Sequence, residues 1–427
     1  MKQILITAYA VNPYKGSEEG TGWNLICQAA RFNQIIAVTR KNNRADIQRY
    51  IAAHPDMEPI TNRITWLHFD LPRWAIAWKK GPLLSALYFY IWQFSVALWL
   101  KQKKLSFDIA HSVNFHSNWT PSFLWILGKP FVWGPVGNHP LIPKQYILSV
   151  YGKKAFIKDR LLWAIKWAFW NLDPFLYICR KKAVKVFCVN TQAAEKLRLP
   201  LSKAIAMPAV ATEAPNSTNV ASNDPFTVLS VGRFVPLKGF DITIRAFAQF
   251  YKMLDPVQRS STKLVIIGTG PEKQNLQQLI RSENMEPCIE LVEWMPREAV
   301  IQQFQQSSVY LFPSHEGAGM VVAEALSYGL PVVCLNNYGP GEYVHPQTQL
   351  AVKQGDYPTT VQQMALALLK LFSDKAFYQT ESNLAFERYQ QLFRWDIKGD
   401  TMEAVYNKLM NQTASATIQQ HNIQPQT

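Results

Sequence analysis

Short apolar runs alternate with longer helical patterns along almost the whole chain. QILITAY (3–9), QIIAVT (34–39), ITWLHF (64–69), DIAHSV (108–113), PFVW (130–133) and VKVFCVN (184–190) have the length and residue types of buried strands. Amphipathic or apolar stretches at 20–32, 83–103, 119–127, 156–178 and 191–198 separate them and predict helices. Strand and helix in turn predict βαβ units, hence a parallel, doubly wound sheet in an α/β domain over residues 1–206. MPAVATEAPNSTNVASNDP (207–225) then has no periodicity and is rich in Pro, Ser, Asn and Ala, which predicts a linker.

The alternation restarts beyond it. FTVLSVG (226–232), LVIIG (264–268), CIELVE (288–293), SVYLFP (308–313) and PVVCL (331–335) read as strands, with helices at 237–253, 271–283, 297–306, 319–328 and 360–372. A second α/β domain therefore covers 226–392, and FRWDIKGDTMEAVYNKLM predicts a final helix over 393–411. Residues 412–427 lack apolar content and predict a frayed tail. Ligands bind open sheets of this type beyond the carboxyl ends of the strands, so the cleft between two such domains is the expected working site.

Composition sharpens this picture. The 427 residues exceed one ordinary core, and 48% apolar with 17% charged residues is ample for two. The formal net charge of +14 points to an anionic partner: a phosphorylated small molecule, nucleic acid or an anionic membrane face. Cys27, Cys179, Cys188, Cys288 and Cys334 are scattered without a CxxC pair, as expected of reduced thiols in a cytosolic protein. The opening MKQILITAYA has too short an apolar core for a secretory signal and reads as a first buried strand. The sequons at Asn118, Asn216 and Asn411 then carry no weight. PLLSALYFYIWQFSVALWLKQKK (82–104) has about the length of a membrane span, but Gln93, Ser85 and Ser95 interrupt it, and a long helix covering a sheet fits equally. The Lys/Arg flanks beside Trp163, Trp167, Phe169 and Trp170 suit attachment to an anionic surface instead.

Candidate chemistry lies at the strand-to-helix turns of the second domain. VGRFVPLKGF (231–240) places Gly232, Arg233 and Lys238 directly after a strand, a planar fork and a point charge suited to a diphosphate. IIGTGPEK (266–273) offers Gly268 and Gly270, yet Lys273 stands where a dinucleotide fingerprint needs its third glycine, so a tight turn is the expected role. In SHEGAGMVVAEAL (314–326), Gly317 and Gly319 lie where a strand passes into a helix, whose open amides at Gly319, Met320 and Val321 can receive phosphate. Glu316 and Glu324 bracket that cradle, each suited to accept hydrogen bonds from a hydroxylated ring; taken alone they read as a dipole-stabilising acid and an exposed helix residue.

EGAGMVVAE resembles the paired-glutamate signature of retaining glycosyltransferases of family 4, and GRFVPLKG, GTGPE, YGLPVV, YGPGEYV (338–344) and Trp395–Asp396 match it in order. GSEEGTGWN (16–24) and WGPVGN (133–138) extend the likeness into the first domain. The resemblance implies a GT-B fold of two Rossmann-like domains, with the last helix crossing back to the first. It implies that Arg233 and Lys238 bind the donor diphosphate in place of a metal, that Glu324 holds the ribose and that Glu316 holds the donor sugar. No cofactor is implied, since the nucleotide-sugar is a substrate.

In the first domain, the glycines of GSEEGTGWN, Gly16 among them, permit close approach to donor phosphates and acceptor, while Glu18 and Glu19 read as helix-capping acids. His111 ends a strand and is expected either to orient the transferred sugar or to serve as a satisfied structural histidine; Val113 holds the place where relatives carry a second histidine. Glu18, His116, Gly137 and His139 are the acceptor-side candidates. The expected acceptor is a glycan or lipid-linked sugar at the inner face of the cell membrane, in cell-surface polysaccharide synthesis. A nucleotide-sugar epimerase on the same fold is the alternative. The broken glycine fingerprint disfavours an oxidoreductase, and the absence of Lys/Arg tracts disfavours a nucleic-acid binder.

Overall fold

The apolar runs become strands with mostly buried side chains, as parallel sheets covered by helices require. The computed structural model describes residues 1–76, 78–79, 81–113, 117–213 and 225–421, without the side chains at 17, 73, 82, 83 and 413–421. In the first sheet β1 (Gln3–Ala8), β2 (Gln34–Thr39), β3 (Ile64–His68), β4 (Ile109–Val113), β5 (Phe131–Val136), β6 (Lys185–Cys188) and β7 (Ala204–Ala206) are all parallel, in the order β3-β2-β1-β4-β5-β6-β7. The second sheet repeats the plan with β8 (Phe226–Val231), β9 (Thr262–Ile267), β10 (Ile289–Val292), β11 (Val309–Phe312), β12 (Val332–Asn336) and β13 (Ala351–Lys353), in the order β10-β9-β8-β11-β12-β13. Both are Rossmann-like, and strand order reverses between β1 and β4 and again between β8 and β11.

The chain divides into two compact units, each built from separated segments. The first comprises Met1–Gly137, Lys166–Ala209 and Trp395–Thr427; the second comprises Asn138–Ile165 and Val210–Arg394. Residues 138–165 thus group with the second unit, although the sequence pattern assigns them to the first domain. Their packing explains this. Ile142, Tyr146 and Ile147 join the core around Phe247, Leu264 and Leu311. Tyr151 and Tyr357 both donate their hydroxyls to the buried Asp241 carboxylate. In the first unit, Lys2 and Asn33 hold Glu403 of the last helix, at 2.5 and 2.8 Å.

Several expectations shift. Residues 119–127 form a single 3-10 turn, Leu124–Leu127, ended by Gly128 at φ 72° rather than a helix. The stretch 156–178 belongs to two helices. Lys144–Leu172 is interrupted at Gly152 (φ 78°), and Pro174–Lys182 starts where Asp173 accepts the Phe175 and Leu176 amides. The last helix, Trp395–His421, runs past 411, because Gln, Ala and Thr at 412–420 extend a nucleated helix at little cost. Residues 422–427, most of the linker (214–224) and Asn216 lie outside the described residues.

Helix Gly81–Lys103 covers the first sheet as a core helix: Tyr88, Phe89, Trp92, Val96, Ala97 and Leu100 are buried while Leu87, Phe94 and Leu98 are exposed. Among the described residues no helix is long and apolar enough to cross a membrane. All five cysteines are buried and unpaired.

Candidate active site

In the second unit the carboxyl ends of β8 and β11 carry the predicted loops side by side. After β8 the chain turns through Gly232 and the exposed Arg233 to a short 3-10 turn, Pro236–Lys238. Gly239 follows in the left-handed region (φ 69°) and opens helix Phe240–Met253, packed so closely on Pro313 that a Cβ would strike the Pro313 carbonyl. The loop after β11 is fastened to it: His315 N donates to the Leu237 carbonyl at 2.9 Å, and Ser314 Oγ to the same oxygen at 3.2 Å.

This clamp brings Lys238 to Glu316, with Nζ 2.8 Å from Oε2 and both side chains largely buried. Lys238 also lies 5.0 Å from the Phe312 ring centroid. The Arg233 side chain, on the same loop, makes no hydrogen bond or ion pair among the described residues. Gly317 donates its amide to His139 Nδ1 at 3.0 Å. His139, expected on the acceptor side of the first domain, therefore supports the loop of Glu316 inside the second unit.

Helix Met320–Ser327 begins at Gly319, which has no side-chain cap. The amides of Gly319, Met320 and Val321 are those a helix start leaves without intrahelical partners. One turn on, Glu324 is 5% exposed, not the solvated residue the sequence alone allowed. Arg297 compensates its buried charge, with NH2 2.7 Å from Oε1. Sequence reasoning missed Arg297. The available signal was its place at the first turn after β10, at the same carboxyl edge as the other loops. Gly268 and Gly270 form the turn after β9, with the Gly268 amide on Val292 O at 2.8 Å and the Gly232 amide on Ile267 O at 2.9 Å.

YGPGEYV also gains a physical reason. Asn337 donates to Ser314 O at 2.8 Å and accepts from Gly339 N at 3.0 Å, which presses Gly339 onto the Glu316 carbonyl. A Cβ there would overlap that oxygen and displace Glu316. Gly339→Ala is expected to destabilise the protein by about 1–3 kcal/mol, as overpacking does, and to weaken ligand binding more than a matched change at Gly355. Thermal melts with and without ligand check both.

In the first unit His111 is fully buried on β4, Nδ1 2.6 Å from the Tyr406 hydroxyl and Nε2 2.8 Å from the Gly134 carbonyl. Neutral imidazole satisfies both contacts, Nε2 donating and Nδ1 accepting. Both imidazole nitrogens therefore have partners within the first unit. Burial pushes its pKa down to about 4, and does the same to His315 beside Glu316. The unfolded chain protonates both near 6.5 and the folded chain only near 4, so stability held above pH 6.5 is lost as pH falls between those values. Up to about 3 kcal/mol per histidine is at stake. Urea midpoints should drop from pH 7 to 5, and His315→Gln should flatten that slope.

Glu18 and Gly16 line a cavity of ≈ 540 Å³ beyond the carboxyl ends of β1 and β2. Burial, with the neighbouring Glu19 carboxylate, pushes Glu18 up to about 7, an environment the capping role did not anticipate. Gly137 is buried and accepts the Asn118 amide at 3.3 Å. His116 lies outside the described residues.

With this geometry in place, known proteins give it context. Residues 212–390 match the family model described as Glycosyl transferases group 1. An uncharacterized glycosyltransferase of Haemophilus influenzae is 34% identical over 112 residues, 26% of this chain and 30% of the relative. A capsular polysaccharide biosynthesis glycosyltransferase, CapM of Staphylococcus aureus, is 25% identical over 196 residues, 45% of this chain and 48% of the relative. The matched region thus spans less than half the length of either. The crystal structure of Anabaena Alr3699/HepE in complex with UDP has a TM-score of 0.59 at 15% identity, covering 96% of this chain and 100% of that one. The chain has the GT-B fold of two Rossmann-like units, and residues 212–390 of its second unit are similar to the glycosyl transferases group 1 domain.

Proposed function

We propose that the chain is a retaining, metal-independent glycosyltransferase that moves a sugar from a UDP- or GDP-sugar to a glycan or lipid-linked acceptor, in cell-surface polysaccharide synthesis. One observation carries the reading: the carboxyl edge of the second sheet, around the point where strand order reverses, carries three cations (Arg233, Lys238 and Arg297), two carboxylates and an uncapped helix start. A diphosphate on the amides of Gly319, Met320 and Val321 would draw its neutralising charge from Arg233 and Lys238. Lys238 would then leave Glu316, freeing that carboxylate to accept from hydroxyls of the donor sugar. Glu324, held by Arg297, would accept from the ribose.

As the anomeric carbon–oxygen bond breaks, its electron pair passes to the departing phosphate oxygen, whose charge Lys238 and Arg233 absorb. The acceptor hydroxyl attacks on the same face and gives its proton to that phosphate oxygen, which needs neither metal nor protein nucleophile. The names of CapM, for capsular polysaccharide biosynthesis, and of HepE, crystallised with UDP, support this class of substrate.

Calorimetry against UDP, GDP and ADP fixes the base, and NMR of the product formed in the presence of a chelator reads the anomeric configuration. No binding of any nucleotide, or an inverted product, overturns the proposal. An epimer formed from donor alone would favour the alternative instead.

The acceptor's location is inferred from the first unit. Leu87, Phe94 and Leu98 are exposed along one stripe of helix Gly81–Lys103, and Phe175 packs beside Phe94 through Phe123. Exposed Lys101, Lys103, Lys181 and Lys182 accompany them, a combination suited to an anionic lipid face on the cytoplasmic side. Liposome flotation should recover more protein with anionic than with neutral lipid. Equal recovery removes the membrane from the reading.

A further inference from the structure

The cavity of the first unit has a charge balance that points to its occupant. It opens where β1 and β2 end: Tyr9 follows β1, Arg40 follows β2, and Glu18 stands in the first turn of helix Ser17–Ala30. Phe89 and Trp119 supply apolar walls, and ≈ 540 Å³ is room for one or two sugar rings.

Two of the charges at its wall are already spent. Glu19 pairs with Lys15 at 3.1 Å, and Arg40 Nε pairs with Asp70 at 3.2 Å. Asp70 has no capacity to spare, since it also accepts from the Tyr88 hydroxyl at 2.5 Å and the Lys41 amide at 3.2 Å. Arg40 keeps its two terminal guanidinium nitrogens without an acceptor among the described residues, the guanidinium lying 4.7 Å from the Tyr9 ring centroid. Lys79 is the charge left over. Its Nζ donates only to the Tyr9 hydroxyl, at 3.0 Å, and no carboxylate among the described residues pairs with it. Burial, and then the like charge of Arg40, pull the Lys79 pKa down, as happens to an ammonium short of negative charge. Glu18 does not supply that charge. Its carboxyl has no ion pair or hydrogen bond among the described residues, and its environment favours the neutral acid.

We propose that this cavity binds the acidic group, a carboxylate or a phosphate, of a hydroxylated sugar, through the terminal guanidinium nitrogens of Arg40 and the Nζ of Lys79. A ring hydroxyl of the same sugar meets the Glu18 carboxyl. The guanidinium offers the planar fork that either anion accepts, and Lys79 adds a point charge beside it. The inference rests on the glycosyltransferase reading for the statement that the bound sugar is the acceptor; the anion preference stands on the cavity itself.

The test uses three probes of one ring on the full chain: methyl β-glucoside, methyl β-glucuronide and glucose 6-phosphate, titrated by NMR at low salt. At least one acidic sugar is expected to bind about tenfold or more tighter than the glucoside. Preference for the glucuronide alone, or for the phosphate alone, identifies the acidic group. Lys79→Gln should bring the ratio close to one, and Lys79→Arg should keep most of it, which separates lost charge from a damaged fold. Equal affinities, no binding by any probe, or a preference that survives Lys79→Gln each overturn the inference. Nucleotide binding measured on the same native sample keeps the two claims apart. Where it persists without an anion preference, only this inference falls; where the native protein binds no nucleotide, the enzymatic reading falls first.

Discussion

Replacing Glu324 with alanine is expected to weaken nucleotide binding by about 2–3 kcal/mol, roughly 30- to 150-fold, with little loss of stability. Glu324 is 5% exposed, and among the described residues its counter-ion is Arg297 at 2.7 Å. Its removal strands no buried charge, because the Arg297 side chain is 55% exposed and water can solvate it. The loss should therefore fall on the ligand. A nucleotide lacking both ribose hydroxyls supplies the decisive comparison. If Glu324 accepts from the ribose, native protein discriminates strongly against the dideoxy form and Glu324→Ala does not. Equal discrimination by both proteins, measured by calorimetry, would remove Glu324 from the sugar of the nucleotide. Arg297→Ala should show a weaker version of the same pattern, since it only orients and charges the carboxylate.

Lys238→Met is expected to lower kcat by a factor on the order of 10² to 10³ while nucleotide affinity falls less. The reason lies in when its charge is needed. Lys238 is paired with Glu316 at 2.8 Å, so part of what a donor gains on reaching Lys238 is offset by breaking that pair. The charge that builds on the phosphate as the sugar departs meets no such offset. A second consequence follows at Glu316, whose side chain is 16% exposed and would lose its counter-ion. Lys238→Met should thus also melt earlier, and Lys238→Met with Glu316→Gln should recover the melting temperature without recovering kcat. Recovery of both would mean that Lys238 matters only as a partner for Glu316.

The strands were legible because parallel sheets bury both faces and leave short apolar runs, whereas apolar helices such as Gly81–Lys103 are far longer. The edge strands β7 and β13 escaped, at three residues each too short to show a pattern. So did helix Lys375–Leu392, for a different reason. Its buried stripe includes Glu381 and Ser382, and Glu381 is there to accept the Thr348 hydroxyl and the Gln349 amide, so the polar residues that should mark a solvated face lie inside. At the site, the loops were readable from glycines and charges after each strand, but pairings were not. Lys238 with Glu316, Arg297 with Glu324 and Gly317 with His139 each join residues far apart in sequence: β8 lying beside β11 makes the first pair neighbours, the packing of the helices after β10 and β11 the second, and the packing of residues 138–165 in the second unit the third. His111 shows the converse limit. The sequence left a sugar-orienting and a structural role open for it, because it lies in the middle of β4 and its partner Tyr406 is 295 residues away.

The interleaving of the two units has a consequence for synthesis on the ribosome. Residues 138–165 emerge early, yet Tyr151 has no carboxylate to meet until Asp241 and Tyr357 have followed it. The first unit waits longer still, because Tyr406 and Glu403 are translated after both of these. Neither half can be finished as it leaves the exit tunnel, and a gene cut at the linker would yield two polypeptides that each lack a wall. Mixing such fragments should restore native structure only when both are present, in the manner of a split protein.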